Sequence, residues 1–203
     1  MAYQFQQPYL GLSAGLQTIH GGGGAGVGGW VELGRTTAGG AVSSITLSSI
    51  ANKRYYMILI WTPTTSTAIH KQMEFNSDTG SNYAQRTEEN GGADGTRTSS
   101  TKLNVGETIA NAQGEFTYYY LSNLAGKEKL GYGDGIKAVS TGAGTAPQRN
   151  TGAIKWANTL DAFDEIKVYP QSGTIPSGSE VVVLGWDPAD THTTNFWEEL
   201  ASV

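Results

Sequence analysis

The sequence predicts an all-β fold: an antiparallel, jelly-roll-like sandwich of about eight to ten strands. Three observations predict it. Short apolar runs with a period of two recur along the chain between Gly-, Asn- and Asp-containing turns. Charged residues make up only 15% of the 203, against roughly 25% in an average domain, and Gly, Ser, Thr and Asn fill their place, as in turn-rich β proteins. No stretch before residue 193 carries a helical period. The chain also lacks an internal repeat of fixed period, which disfavours a propeller or a β-helix.

The elements follow in order. Residues 30–35 (WVELGR) and 44–50 (SITLSSI) alternate, with Val31 and Leu33, then Ile45 and Leu47, each pair on one side. Asn52-Lys53 turns the chain into 54–61 (RYYMILIW), a continuous apolar run that suits a central strand buried on both faces; Pro63 ends it. In 68–76 (AIHKQMEFN), Ile69, Met73 and Phe75 point one way and His70, Gln72 and Glu74 the other. Residues 77–104 are polar, with 83–87 as their one strand and Asn90-Gly91-Gly92 and Asp94-Gly95 as sharp turns. In the aromatic strand 115–121 (EFTYYYL), Tyr119 faces away from Tyr118 and Tyr120. Residues 129–132 and 136–140 are expected to form a hairpin across Gly133-Asp134-Gly135, and 152–157, 165–169 and 180–186 complete the set. Residues 193–201 are the one helix candidate, with Thr194 as N-cap and Phe196, Trp197 and Leu200 on one side.

This reading divides the chain into an arm (1–29), a β-domain (30–190) and a C-terminal tail (191–203). The arm carries no charge and ends in seven glycines among residues 21–29. Such a segment buries too little apolar surface to fold alone, and its glycines add conformational freedom. An arm of this kind suits docking on a neighbour, by adding a strand to an open sheet edge. Its candidate anchors are Tyr3, Phe5, Tyr9, Leu10, Leu12 and Leu16; Phe196, Trp197 and Leu200 form a second candidate contact at the other end.

Charge and composition exclude several functions. A net charge of −5 with 13 Lys and Arg argues against sequence-independent nucleic-acid binding, which neutralises phosphates with cations. Without cysteine there is no disulfide and no thiolate metal site. The first residues lack the charged n-region and apolar core of a secretory signal, and the apolar run at 55–61 is far shorter than a membrane-spanning helix. The expectation is a protein made in the cytoplasm, with neither nucleic acid nor membrane as partner.

Motifs that carry chemistry fail on context. Gly11-Leu12-Ser13-Ala14-Gly15 fits the nucleophile elbow G-x-S-x-G, but no strand leads in and no helix leads out. Gly24-Ala25-Gly26-Val27-Gly28-Gly29 fits G-x-G-x-x-G and lacks the same frame, so it reads as a hinge. His20, His70 and His192 stand far apart, without metal-ligand spacing. The loop 76–82 (NSDTGSN) places oxygen ligands at alternate positions, which makes Asn76 and Asp78 a candidate Ca²⁺ site; an Asx-type turn is the plainer reading. Glu88-Glu89, Asp161, Asp164-Glu165 and Asp187/Asp190 are the carboxylates a glycosidase would draw on, and no pair among them is specific enough to be named catalytic. No enzyme and no resident cofactor are expected. Most of the five tryptophans are expected in the core, with one or two left for contacts.

Several phrases, in order, resemble a known family: WVELGRTT, NKRYYMILIW, FNSDTGSNYAQRTEENGG, GAIKWANT and SGSEVVVLGWDP. Over residues 30–188 the chain resembles small β-rich virion structural proteins of tailed phages, often marine or environmental. The resemblance implies a non-enzymatic structural virion component without fixing which one. With the modest size and the arm, the expectation is a capsid decoration (cement) protein or a fibre-like appendage subunit, whose partners are copies of itself, as a trimer, and other virion proteins such as the major capsid protein. A carbohydrate-binding or adhesin module using Tyr and Trp platforms, with surface glycans as partners, is the rival expectation. A filament subunit linked by donor strands from the arm is another.

Overall fold

A computed structural model describes residues 29–64, 68–108 and 113–190. Within it, Trp30–Ala189 form one compact unit of twelve strands. These are β1 (Val31–Thr37), β2 (Ile45–Leu47), β3 (Tyr55–Thr62), β4 (Ile69–Phe75), β5 (Tyr83–Glu89), β6 (Gly95–Ser100), β7 (Leu103–Thr108), β8 (Glu115–Ser122), β9 (Lys129–Lys137), β10 (Gln148–Trp156), β11 (Ile166–Pro170) and β12 (Glu180–Trp186). An eight-stranded sheet has the order β1-β12-β3-β8-β9-β10-β5-β6 and a four-stranded sheet the order β2-β11-β4-β7. All strand pairs are antiparallel.

The topology is a jelly roll with two insertions. The pairs β1/β12, β2/β11, β3/β8 and β4/β7 are the rungs of one long folded ribbon, which wraps so that alternate rungs fall in opposite sheets. Hairpin β5–β6 is inserted between β4 and β7, and β9–β10 between β8 and β11. Both join the larger sheet beyond β8. The core lies between the sheets: Tyr56, Ile58 and Ile60 of β3 with Tyr119 and Leu121 of β8 face Met73 and Phe75 of β4, Leu103 of β7 and Ile166 of β11. Trp156 is its largest fully buried side chain, stacked on Tyr83 and tilted against Phe75.

Four expectations are corrected. The run in β3 is buried on one face only: its even-numbered residues line the core, while Tyr55, Met57 and Leu59 are half-buried and Trp61 is exposed. Among the described residues no layer covers the outer side of the large sheet, so the apolar run makes an open face where a doubly covered strand was expected. Second, Gly133-Asp134-Gly135 is not a turn, because β9 runs straight through it. Its glycines admit a neighbour: a Cβ on Gly133 would lie 2.7 Å from the Tyr119 ring, which also lies against Gly152. Third, polar residues 95–100 form β6, held by its ladder to β5 rather than by burial. Fourth, Gln72 and Glu74 are buried although the pattern turns them to solvent, with Glu74 taking hydrogen bonds from Lys167 and Tyr169 of β11.

A charge pair also lies inside. Lys71 and Glu115, 1% and 2% exposed, meet at 2.5 Å between the sheets, and Thr117 donates to the other Glu115 oxygen. Burial, reinforced by Lys137, holds the Lys71 amine below its usual pKa despite the attraction of Glu115.

The segments 1–28 and 191–203, with the arm anchors Tyr3, Phe5, Tyr9, Leu10, Leu12 and Leu16, the helix candidate, Phe196, Trp197 and Leu200, lie outside the described residues. So do Ser13, His20 and His192.

Candidate functional site

Strand alternation that sends Tyr56, Tyr119 and Trp156 inward sends an equally apolar set outward, and the registers align it into rows across β12, β3, β8 and β9. One row is Trp186–Tyr55–Ser122–Leu130, the next Leu184–Met57–Tyr120–Tyr132, the third Val182–Leu59–Tyr118–Asp134, and the last Glu180–Trp61–Phe116–Ile136. Trp30, just before β1, closes over the first rows and touches the rings of Tyr120 and Trp186 at 6.0 and 6.5 Å. With Tyr55 stacked on Trp186 at 5.4 Å, and Tyr120, Tyr118 and Phe116 in succession, six rings make one connected series. A shallow hollow of about 540 Å³ opens between Trp30, Tyr55, Tyr120, Leu130, Tyr132 and Trp186.

This face is exposed. Trp30, Trp61, Phe116, Tyr120, Leu130, Tyr132 and Ile136 keep 38% to 57% of their surface. A fully buried aromatic covers roughly 150–250 Å², so these seven leave about 600 Å² of apolar surface on one side. The largest patch on a typical monomer is roughly 300–600 Å², and a standard interface buries about 800 Å² per partner.

Charge sits at the rim. On the β1 side Arg35 bridges Glu32 and Glu180, each at 2.8 Å. On the far side Lys155 pairs with Glu128, Arg149 with Glu88 and Arg86 with Asp94. In the middle rows Asp134 is the one charged side chain, and it accepts hydrogen bonds from Tyr118 (2.7 Å) and Thr151 (2.5 Å). The Tyr118 bond to Asp134 holds its phenol proton, and its pKa is raised. An apolar, aromatic centre inside a charged rim is the anatomy of a protein–protein contact.

Tyr118 and Tyr120 on this face and Tyr119 in the core match the alternation read from the sequence. The tryptophans do not: of those described, Trp156 alone is core, while Trp30 and Trp61 are exposed and Trp186 half-buried. The signal was present in 54–61, where Tyr55, Met57, Leu59 and Trp61 share one parity, but a two-sided apolar strand does not say whether a layer covers each side.

The Asn76–Asp78 loop is taken up by its own turn and its neighbours. Asn76 accepts from the backbone N–H groups of Asp164 and Glu165 and donates to Ala162. The Asp78 carboxylate accepts from Gly80 N–H (2.9 Å), the Asn82 amide and Trp156 Nε1 (2.7 Å). Burial works against the Asp78 charge, but the bonds from Trp156, Asn82 and Gly80 outweigh it and hold the pKa below 3.8. A lowered carboxyl pKa adds stability above the unfolded value, and this is lost as pH falls through the folded one. Urea midpoints are therefore expected to drop below about pH 4, and to drop less in Asp78→Asn; an equal acid dependence in both proteins contradicts this role.

The acidic candidates are dispersed: Glu88 pairs with Arg149, Glu89 with Lys137, Asp161 bonds Asn158 and Glu165 bonds Ser77. Among the described residues no three His, Asp or Glu side chains converge as a metal site would require. No family model matches the chain, and no curated protein is similar to it.

Proposed function

We propose that this chain is a non-enzymatic structural subunit that assembles with copies of itself through the outer aromatic face of its larger sheet, and that it serves in a phage particle as a decoration or fibre-like appendage protein. The observation that carries the assembly reading is the apolar patch of about 600 Å² with its charged rim. A second copy is the occupant that fits best: the centre offers almost no charge for a differently charged partner to complement, whereas rings and aliphatic side chains complement their own kind. The phage setting rests on the resemblance of residues 30–188 to virion proteins, and the virion is the proposed location.

Light scattering on the full chain during size-exclusion chromatography tests the assembly reading. The expected mass is a closed multiple of 21.5 kDa, with three copies the favoured number. A monomer at micromolar concentration overturns self-assembly through this face. Open-ended filaments place the contact in the arm and favour the donor-strand reading. The glycan reading draws little support from this face, since its hollow is apolar and Ser122 is the one non-aromatic polar side chain lining it.

A further inference from the structure

The inner side of the larger sheet holds a different kind of site. The four-stranded sheet ends at β7, which lies over β8, β9, β10 and β5. The larger sheet continues to β6, so at that margin its inner surface has no strand of the smaller sheet over it among the described residues. There the inward residues turn polar. A groove of about 290 Å³ is lined by His70 of β4, Gln85 and Thr87 of β5, Arg97 of β6, Asn104 of β7 and Asn150 of β10.

The walls are tied together. Gln85 accepts from the Asn104 backbone N–H at 2.6 Å and donates to its carbonyl, locking β5 to β7. In the orientation its neighbours dictate, the Asn104 side-chain oxygen accepts from both Nη atoms of Arg97, at 2.9 and 3.2 Å. Two of the five guanidinium donors are thereby engaged and the Nε edge remains. No carboxylate among the described residues pairs with Arg97. Two of the three strand irregularities border this groove, between His70 and Gln72 and between Tyr83 and Gln85, and Ser99 of β6 sits at φ +50°. Bulges and left-handed non-glycine residues re-aim side chains at a cost in strain, and they gather at sites.

We propose that this groove binds one carboxylated sugar residue, as found in an acidic polysaccharide. A carboxylate takes the open edge of Arg97 in a bidentate pair. The Asn150 amide and the Thr87 hydroxyl, on the same inner side as Arg97, take ring hydroxyls. One cation among several neutral hydrogen-bonding groups matches one anionic group on a polyhydroxylated ring; a phosphate site would gather several cations or a row of backbone N–H groups. The volume lies at the lower end of ligand pockets, roughly 300 Å³, enough for one ring.

Saturation-transfer NMR on the full chain tests this, with sodium D-glucuronate, D-glucose, acetate and phosphate as probes. Glucuronate is expected to bind saturably, with a Kd of about 1 mM, and glucose and acetate at least about tenfold more weakly, because each lacks one half of the contacts. Arg97→Ala is expected to weaken glucuronate at least about tenfold and Arg97→Lys to recover part of it, both with unchanged melting temperature because the side chain is exposed. Acetate or phosphate binding as tightly as glucuronate overturns the sugar assignment. Absent saturation, or binding indifferent to Arg97, overturns the site. The groove lies on the opposite side of the sheet from the aromatic face, so Arg97→Ala leaves the oligomer mass unchanged and the two readings fail separately.

Discussion

Glu115→Leu is expected to lower the melting temperature by about 10 °C. The substitution strands the Lys71 amine, 1% exposed, between two sheets with its partner at 2.5 Å removed. Breaking a buried pair from one side costs about 3–5 kcal/mol, and for a domain of this size each kcal/mol is worth roughly 2–4 °C. Lys71→Met is expected to cost a similar amount, because Glu115 then keeps only Thr117 as a donor. The double variant Lys71→Met/Glu115→Leu is expected to recover most or all of the loss, since an apolar pair of similar volume avoids desolvating two charges. Calorimetry on the four proteins closes the cycle. Independent, additive losses contradict the coupling, and a small effect of both single variants shows that the pair is solvated.

Tyr132→Asp is expected to dissociate the oligomer. Tyr132 is 53% exposed in the second row of the aromatic face, beside Tyr120. A carboxylate there must be buried unpaired whenever the face is covered, and it stands near Asp134, a like charge two residues along the same side of β9. Burying an unpaired charge at the centre of a contact costs about 3 kcal/mol or more per interface, enough to weaken association more than a hundredfold. The variant is expected to run as a monomer with an unchanged circular dichroism spectrum, because this side chain contributes nothing to the core, and to melt somewhat lower only by the loss of association. Thr46→Asp, exposed on β2 of the four-stranded sheet, is the control and is expected to keep the oligomer. If Tyr132→Asp leaves the mass unchanged, the contact lies elsewhere.

Much of the fold was legible because its signals are local. Alternation in Ile45-Thr46-Leu47 and in residues 115–121 places each side chain on a face whatever the rest of the chain does. Parity even held the clue to the buried pair: Lys71 shares its side with Ile69, Met73 and Phe75, and Glu115 shares its side with Tyr119 and Leu121. Hydropathy overrode parity there, since lysine and glutamate are almost never buried unless paired, and the pairing joins strands 44 residues apart. The glycines of β9 misled for the same reason. Gly133-Asp134-Gly135 has turn composition, and pairing with β8 on one side and β10 on the other makes it strand, with the Tyr119 ring lying against Gly133.

What the sequence determined by itself is the class: all-β, antiparallel, with strands placed by a period of two and turns by Gly, Asn and Asp. The tertiary structure decided which of the two faces of each strand meets a second layer. The four-stranded sheet covers only the inner face of the eight-stranded one, and only part of that face, so among the described residues the same apolar run in β3 builds the core on one side and an open aromatic face on the other. That partial cover also leaves polar β5, β6 and β10 to form a groove. Burial depends on what lies opposite a surface, and strand pairing across the whole chain settles that.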